Sequence, residues 1–592
     1  MRRFLQNIIC ILCVVLCARV AHACETNEID VFGDGTNCET AKFTITTTNL
    51  SADTEFRFYM SATGTFYVDW GDGTVDTITR NDTTETLYNH TFISAGVKTI
   101  RFGGLASGYN SGDVAAIRFG KTDNSASANT SATISLLNSV SGSLSQLFPV
   151  FGGASNQNPK FCYTFYYCNN LVSIPETLFS DYTQIKTSFN RTFAYSGLTS
   201  IPAGLFSHIT EAVGQMFFYT FNGCYGITSI PAELFSGITR ITGNSVFYGT
   251  FRGVNITSIP GNLFDKITTA RKHMFYVTFA DCSRLTSIPT GLFKNITTAE
   301  EEMFLGTFYN CKSLTFIPRN LFSSIHEPAK GLFYQTFYNC TSLTSIPDDL
   351  FVNITGAAND LFSYTFADCT SLTSIPENLF GGITGAAYNM FGNTFKGCTS
   401  LTSIPEKLFS GVTGASNNMF AYTFRNCSGL SGYIPASTFS GLIANTNHPS
   451  TNNMWLDIFS GTSIATTCPA GTVQYITGYE DYWDGHVSCV DENLVCGAGK
   501  YLPAHGYECK PCLENNYCVG GTYPYSESNT SGITPCPTGY SSSVGASACE
   551  PNTITINWDG AESGTCTYGG TITTPTTPPT RRGYTFVGWM FE

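Results

Sequence analysis

The sequence predicts a multi-domain exported chain built around a stacked solenoid of about ten repeats, each of short strands plus helices. A strand-rich domain precedes the solenoid, and a cysteine-rich module and a small β-rich tail follow it. Three observations carry this reading. An Ile-Pro step recurs at Pro175, Pro202, Pro231, Pro260, Pro289, Pro318, Pro347, Pro376, Pro405 and Pro435, with seven consecutive spacings of 29 residues. A fixed period of this size marks a stacked array, because one unit cannot bury its apolar face alone. The chain opens on MRRFLQNIICILCVVLCARVAHAC, and from Cys468 onward cysteines crowd among Gly, Pro, Tyr and Asn.

The opening stretch has a basic start at Arg2 and Arg3, a short apolar core and the small-residue pattern Ala21-His22-Ala23. It reads as a secretory signal peptide over 1–23. No later apolar run reaches the roughly 18 residues a membrane span needs, so no transmembrane segment is expected after cleavage. Export would place the mature chain where disulfides persist. Charged residues make up 12% of the 592, and acidic ones outnumber basic ones 43 to 30. That argues against a nucleic-acid partner, which would want a basic stripe.

Residues 24–150 form the first domain. KFTITTT, EFRFYM and GTFYVDW alternate or are β-branched and aromatic, with Gly, Asn and Asp between them; such runs read as strands. The turn signal Trp70-Gly71-Asp72-Gly73-Thr74 is followed by His90-Thr91-Phe92 and then by GVKTI at 96–100. This combination, over about 42–102, resembles the PKD family of immunoglobulin-like β-sandwiches, which implies a spacer or adhesive module. Asp69 and Asp72 could hold a metal, but carboxylates capping turn amides are the commoner use of such residues, and no metal site is expected. Cys24 and Cys38 bracket a short loop and are expected to pair.

Residues 151–443 form the solenoid. In the unit from Pro347 to Ile375, proline suits the first helical position, with Asp348 and Asp349 in the first turn. Leu350, Phe351 and Ile354 then share one helical face, and Gly356 ends that segment. Leu361, Phe362, Phe366 and Cys369 again share a helical face. The LTSI run at 372–375 reads as a brief strand. The cysteine recurs at Cys168, Cys224, Cys282, Cys311, Cys340, Cys369, Cys398 and Cys427, with Ser196 and Val254 in two units. A disulfide or metal ligand could not be exchanged for Ser or Val, so the position reads as a small buried packing residue. The pattern TFxxCxSLTSIP is similar to the BspA-like leucine-rich repeat, although LTSIP is two residues shorter before its proline than that family's pattern. The resemblance covers about half the chain and implies a leucine-rich-repeat solenoid used for adhesion.

Residues 444–467 read as a polar linker or cap. In the module at 468–550, Cys468 and Cys489 are a plausible pair. Cys496, Cys509, Cys512, Cys518, Cys536 and Cys549 allow fifteen pairings. The run CGAGKYLPAHGYECKPC, with the cysteines after it, resembles growth-factor-receptor-like cysteine-rich repeats, which implies an extracellular disulfide module. The tail, 551–592, carries a Pro/Thr tract and then RRGYTFVGW. It resembles the InlB B-repeat modules, and Cys566 is left as an unpaired candidate.

No catalytic motif such as G-x-S-x-G, H-E-x-x-H or a phosphate-binding glycine loop is present, and neither enzymatic activity nor a cofactor is expected. The run Glu300 to Glu302 reads as a solvated face. The strand positions carry Thr-Ser pairs at Thr286/Ser287, Thr344/Ser345, Thr373/Ser374 and Thr402/Ser403, a candidate binding surface. The function expected is that of a secreted or cell-surface binding protein engaging a host or neighbouring-cell protein or glycan. The alternatives are a structural envelope or spacer protein, or a secreted hydrolase with an unrecognised site.

Overall fold

The computed structural model describes residues 24–25, 27–31, 37–121, 134–152, 157–183, 185–443, 453–468, 470, 472–474, 488–504, 506, 508–526, 528–556, 564–572 and 576. The signal peptide expected at 1–23 and the motif at 582–589 lie outside them. The chain divides into two compact units, one comprising 1–431 with 439–463, the other 432–438 with 464–592.

The first unit begins with antiparallel sheets arranged as a sandwich. The strands are β1 (Glu28–Asp30), β2 (Cys38–Thr40), β3 (Phe43–Thr47), β4 (Thr54–Met60), β5 (Thr63–Asp69), β6 (Val75–Arg80), β7 (Thr86–Phe92), β8 (Thr99–Gly108), β9 (Ile117–Arg118) and β10 (Leu137–Gly142). Five of them pair in the order β10-β3-β8-β5-β6, and three in the order β7-β4-β9. The period-2 pattern read from the sequence sets which side chains turn inward: Phe56, Phe58 and Met60 on β4, and Phe43 and Ile45 on β3, are fully buried. Phe58 on one sheet meets Phe102 on the other edge-on at 5.4 Å. Between β5 and β6 the chain turns at Gly71, which has φ +73°; a Cβ there would lie 2.4 Å from the Thr99 carbonyl oxygen, so only glycine fits.

The repeats do not contain the helices expected from their apolar spacing. From residue 161 to 443, helix among the described residues is confined to a 3-10 segment at Glu176–Phe179 and to Ser440–Ile443. Elsewhere the chain advances as consecutive β-turns. In the unit from Pro347 to Ile375, Ser363, Thr365, Ala367 and Cys369 donate their amides to the carbonyls three residues back, at 3.1–3.2 Å. The alternate amides of Asp360, Phe362, Tyr364, Phe366 and Asp368 reach the carbonyls of Tyr388, Met390, Gly392, Thr394 and Lys396 in the next unit, at 2.7–2.9 Å. Every amide of the segment is satisfied, half locally and half along the stack.

The physical reason lies in backbone handedness. Asp360, Tyr364 and Asp368 have φ of +57°, +56° and +59°, as do Asn389, Asn393 and Gly397 at +52°, +58° and +73°. A left-handed residue every fourth position cannot be accommodated in a right-handed helix. The apolar side chains follow the same four-residue step, with 361–363 and 365–367 buried and Tyr364 and Asp368 facing outward. Over so short a stretch a period of 4 is indistinguishable from 3.6. Pro347, Pro376 and Pro405 likewise open turns, not helices: they accept at their carbonyls from the amides of Leu350, Leu379 and Leu408. The expected strand at 372–375 is reduced to a few contacts. Thr344 and Thr373 donate to Thr315 and Thr344 of the preceding unit, and one parallel bridge joins Phe316 to Ser345.

Three columns of phenylalanine rings fill the interior. One includes Phe304, Phe333, Phe362 and Phe391, with centroids 5.6–6.0 Å apart and planes within 9°. A second runs through Phe308, Phe337, Phe366 and Phe395 at 5.6–5.7 Å. A third, from the Leu-Phe step after each proline, runs through Phe322, Phe351, Phe380 and Phe409. Neighbouring columns meet tilted, as Phe362 and Phe380 do at 4.7 Å and 51°, an arrangement aromatic quadrupoles favour.

Both ends of the array are continued by other segments. The second column passes from Phe165 to Phe119 at 5.6 Å and on to Phe43 in the sandwich at 6.0 Å. Backbone bonds from Ala116, Phe119 and Lys121 to Lys160, Thr164 and Tyr166 join the sandwich to the first coil. At the other end, residues 453–463, within the segment expected to be linker or cap, form a further coil. Phe420, Tyr422 and Phe424 donate to Met454, Leu456 and Ile458, while Trp455 stacks on Phe420 at 4.9 Å and Phe459 on Phe424 at 5.7 Å.

The second unit is a series of small sheets held by disulfides. Ile434–Pro435 runs parallel to Ser488–Asp491, which pairs antiparallel with Thr472–Gln474. Two-stranded pairs follow, including Asn493–Cys496 with Gly521–Pro524 and Thr553–Ile556 with Gly564–Thr567. Disulfides join Cys496 to Cys509, Cys512 to Cys518 and Cys536 to Cys549. Cys468 is disulfide-bonded; the side chain of Cys489, its expected partner, lies outside the described ones.

Candidate binding faces of the solenoid

The motif residues Thr and Cys share one role in the frame. Thr365 donates its hydroxyl to the Phe333 carbonyl of the preceding unit at 2.9 Å, and Cys369 donates its thiol to the Phe337 carbonyl at 3.2 Å. The same pair of contacts recurs at Thr394 and Cys398, with Phe362 and Phe366, and at Thr423 and Cys427, with Phe391 and Phe395. Cysteine is therefore the counterpart of threonine one four-residue step later, a small buried donor as well as a packing residue. The repeat thiols are free and buried. Burial pushes the Cys224 thiol up to about 11 and Cys340 up to about 12, so both stay protonated. A thiol in that state is a poor nucleophile, and the column offers no chemistry to solvent.

The Thr-Ser row lies on the surface. Thr344, Ser345, Thr373, Ser374, Thr402 and Ser403 are exposed, as is Thr286, and Ser287 is half-buried. Part of its hydrogen-bonding capacity is already used. The hydroxyls of Thr286, Thr344 and Thr373 donate to the carbonyls of Thr257, Thr315 and Thr344 at 3.1–3.4 Å. One unit breaks the row with Phe316, 49% exposed.

A second face is not anticipated by the sequence reading. The outward positions of the turn coils and the residues before them carry tyrosine repeatedly. Tyr248 stacks on Tyr276 at 4.3 Å and Tyr309 on Tyr338 at 4.9 Å. Arg191 lies 4.9 Å from the Tyr219 ring and Arg425 lies 5.2 Å from Tyr422. Burial pushes the phenols of Tyr276, Tyr334 and Tyr364 up, so they present neutral hydroxyls. Polar side chains between them link unit to unit. Asn310 donates to Asp281 at 2.7 Å and Asn339 to Asn310 at 2.8 Å. Glu301 lies between Lys272 at 3.0 Å and Lys330 at 2.8 Å. The lysine contacts draw its carboxyl down to about 2. Asp, Asn and Gly recurring every fourth residue, as at Asn389, Asn393 and Gly397, are the signal that could have revealed this face, because those residue types tolerate positive φ.

In the sandwich, the carboxylates of Asp69 and Asp72 are taken up by the turn. Asp69 accepts from the Gly71 amide at 2.9 Å and pairs with Arg101 at 3.0 Å. Asp72 accepts from the Thr74 amide and hydroxyl and meets His90 at 2.7 Å. Burial pushes the Asp72 carboxyl up, but the bonds from Thr74 and His90 outweigh it and hold it below its ordinary value. The His90 ring also stacks on Trp70 at 4.6 Å, so the GDGT motif and the later histidine form one structural knot. An open groove of about 600 Å³ lies along the five-stranded sheet, lined in part by Glu39, Lys42, Tyr67 and Arg80. A disulfide joins Cys24 to Cys38. His448, His486 and His505 lie outside the described residues.

No protein-family model, no curated protein and no solved structure matches the chain.

Proposed function

We propose that this chain is an exported, adhesin-like binding protein of the BspA-like leucine-rich-repeat kind, with a PKD-like domain before the repeats and cysteine-rich and InlB B-repeat-like modules after them. Its partner is a protein or glycan of a host or neighbouring cell. The observation that carries this reading is the division of labour within each unit. Inward positions repeat as Phe, Thr, Cys and Leu, while outward positions vary among Tyr, Arg, Asn, Asp and Gly on a rigid, regularly spaced frame. Tyr and Arg, with Trp, are enriched at binding hot spots. The disulfides suggest an extracellular location, and among the described residues no helix is long and apolar enough to cross a membrane.

The test is binding of the immobilised full chain to a panel of matrix proteins and glycans. Saturable binding that falls when Tyr309 and Tyr338 are changed to Ala supports the turn-coil face, and a fall on changing the Thr-Ser row supports that row. Absence of saturable binding across the panel would favour the spacer reading, which has its own supporting observation: the polar ladders Lys272-Glu301-Lys330 and Asp281-Asn310-Asn339 brace the array internally. Turnover of a panel polymer would favour the hydrolase instead.

A further inference from the structure

We propose that a groove at the N-terminal end of the solenoid is a binding site for a neutral saccharide. This rests on the reading of the solenoid as a binding frame, and names one ligand class and one place on it. The groove has a volume of about 380 Å³ and spans three successive units, lined by Tyr167, Tyr195, Tyr225, Asn169, Ser196 and three glycines.

The groove exists because one column of outward side chains stops. Tyr167 and Tyr195 stack at 4.7 Å with planes 13° apart, and the Lys121 ammonium lies 5.1 Å from the Tyr167 ring centre on the sandwich side. The next two positions of that column are Gly223 and Gly253, both with positive φ. A Cβ on Gly223 would lie 2.5 Å from the Tyr195 ring. Along the adjacent corner, a Cβ on Gly197 would meet the Asn169 carbonyl oxygen at 2.1 Å, and one on Gly226 the Leu198 carbonyl oxygen at 2.5 Å. The glycine positions are therefore bare backbone, walled by tyrosine rings. Tyr225 is 62% exposed, leaving a ring face open to a ligand.

The lining selects the ligand. It contains no ionised side chain, and burial pushes the Tyr167 phenol up, keeping it neutral. Phosphates and carboxylates would find no cation in the lining itself, and the Lys121 ammonium beside it is engaged with the Tyr167 ring. What the groove offers is aromatic faces, one amide and a few hydroxyls. A pyranose matches this set: its ring presents an apolar C–H face to a tyrosine, where dispersion and burial act together, and a rim of hydroxyls to Asn169 and the phenols. The volume falls within the range of small-molecule sites, about 300–1,000 Å³, and suits one or two sugar rings.

The test is saturation-transfer NMR and calorimetry on the full chain with cellobiose, lactose and chitobiose. At least one should bind, and Tyr225→Ala should weaken it about tenfold, equivalent to about 1.4 kcal/mol. Asn169→Ala should weaken it less, and Tyr388→Ala, an exposed tyrosine elsewhere on the array, should leave it unchanged. Tyr225 is exposed, so its replacement spares the core. Saccharide binding indifferent to Tyr225→Ala overturns the site while leaving the binding frame intact. So does failure of all three disaccharides with a panel protein still captured. Failure of every saccharide and every panel protein overturns both.

Discussion

Cysteine is used in opposite ways in two regions of this chain. In the solenoid, Cys311, Cys340, Cys369, Cys398 and Cys427 are fully buried, free and hydrogen-bonded to phenylalanine carbonyls of the preceding unit. In the module beyond Cys468, six described cysteines are joined in pairs at sequence separations of 13, 6 and 13. The surroundings differ correspondingly. Phenylalanine columns supply the solenoid with a continuous core. Around the disulfides the apolar side chains of Val495, Leu513, Val519 and Val544 are exposed, and Leu502 is the fully buried aliphatic one among the described residues of that module. Where stacking already buries apolar surface, a thiol is most useful as a compact donor. Where the core is small, the covalent link restrains the unfolded chain instead.

The contrast is tested first by the core. Phe337→Ala should cost about 3–5 kcal/mol in denaturant unfolding, whereas Phe316→Ala, half-exposed in the Thr-Ser row, should change stability by no more than about 0.5 kcal/mol. Equal costs at the two sites would show that the columns are not the main source of stability. Next, reduction of the disulfides should destabilise the C-terminal module by about 2–5 kcal/mol per bond lost and leave hydrogen-exchange protection of the repeats unchanged. Loss of protection in the repeats under the same reductant would erase the distinction.

Smaller effects separate packing from donation at the repeat cysteine. Cys369→Ser keeps a donor in a smaller side chain, and Cys369→Val fills the space but removes the donor. Each should cost about 0.5–2 kcal/mol, in keeping with Ser196 and Val254 at equivalent positions. A much larger cost for valine alone would make the thiol bond dominant over packing. The smallest effect concerns Glu301. Its carboxyl is lowered on folding, so its contribution is present above the unfolded value of about 4.3 and is lost as pH falls toward 2. As a surface cluster it should be worth about 0–1 kcal/mol. Glu301→Gln should abolish that part of the acid dependence, as measured by thermal unfolding at pH 5 and pH 2.5.

Several features are legible in the amino-acid pattern alone. The period, the inward Phe, Cys, Leu and Ile, and the strand alternation of the first domain follow from spacing, and the corresponding residues are buried. The turn coils read as helices because Leu361, Phe362, Phe366 and Cys369 suit a step of 3.6 as well as one of 4. The discriminating signal is polar: Asp360, Asp368, Asn389, Asn393 and Gly397 recur where the backbone is left-handed. The tyrosine face is hidden for a related reason, since an outward tyrosine is conspicuous only once the inward set is assigned. The groove at Tyr225 depends on which unit lies beside which, and on the absence of side chains at Gly197, Gly223 and Gly226.

By itself, the sequence determined that units of 29 residues must stack and which residues they bury, because burial follows from the periodic placement of apolar side chains along one chain. Only the tertiary structure decided that the units are turns, that Thr and Cys donate to phenylalanine carbonyls 32 residues earlier, and that the array continues into the sandwich through Phe119 and Phe43. The reason is that half of the backbone donors in each turn coil are satisfied by the next unit. The local conformation is stable only in the stack, and local pattern alone does not specify it.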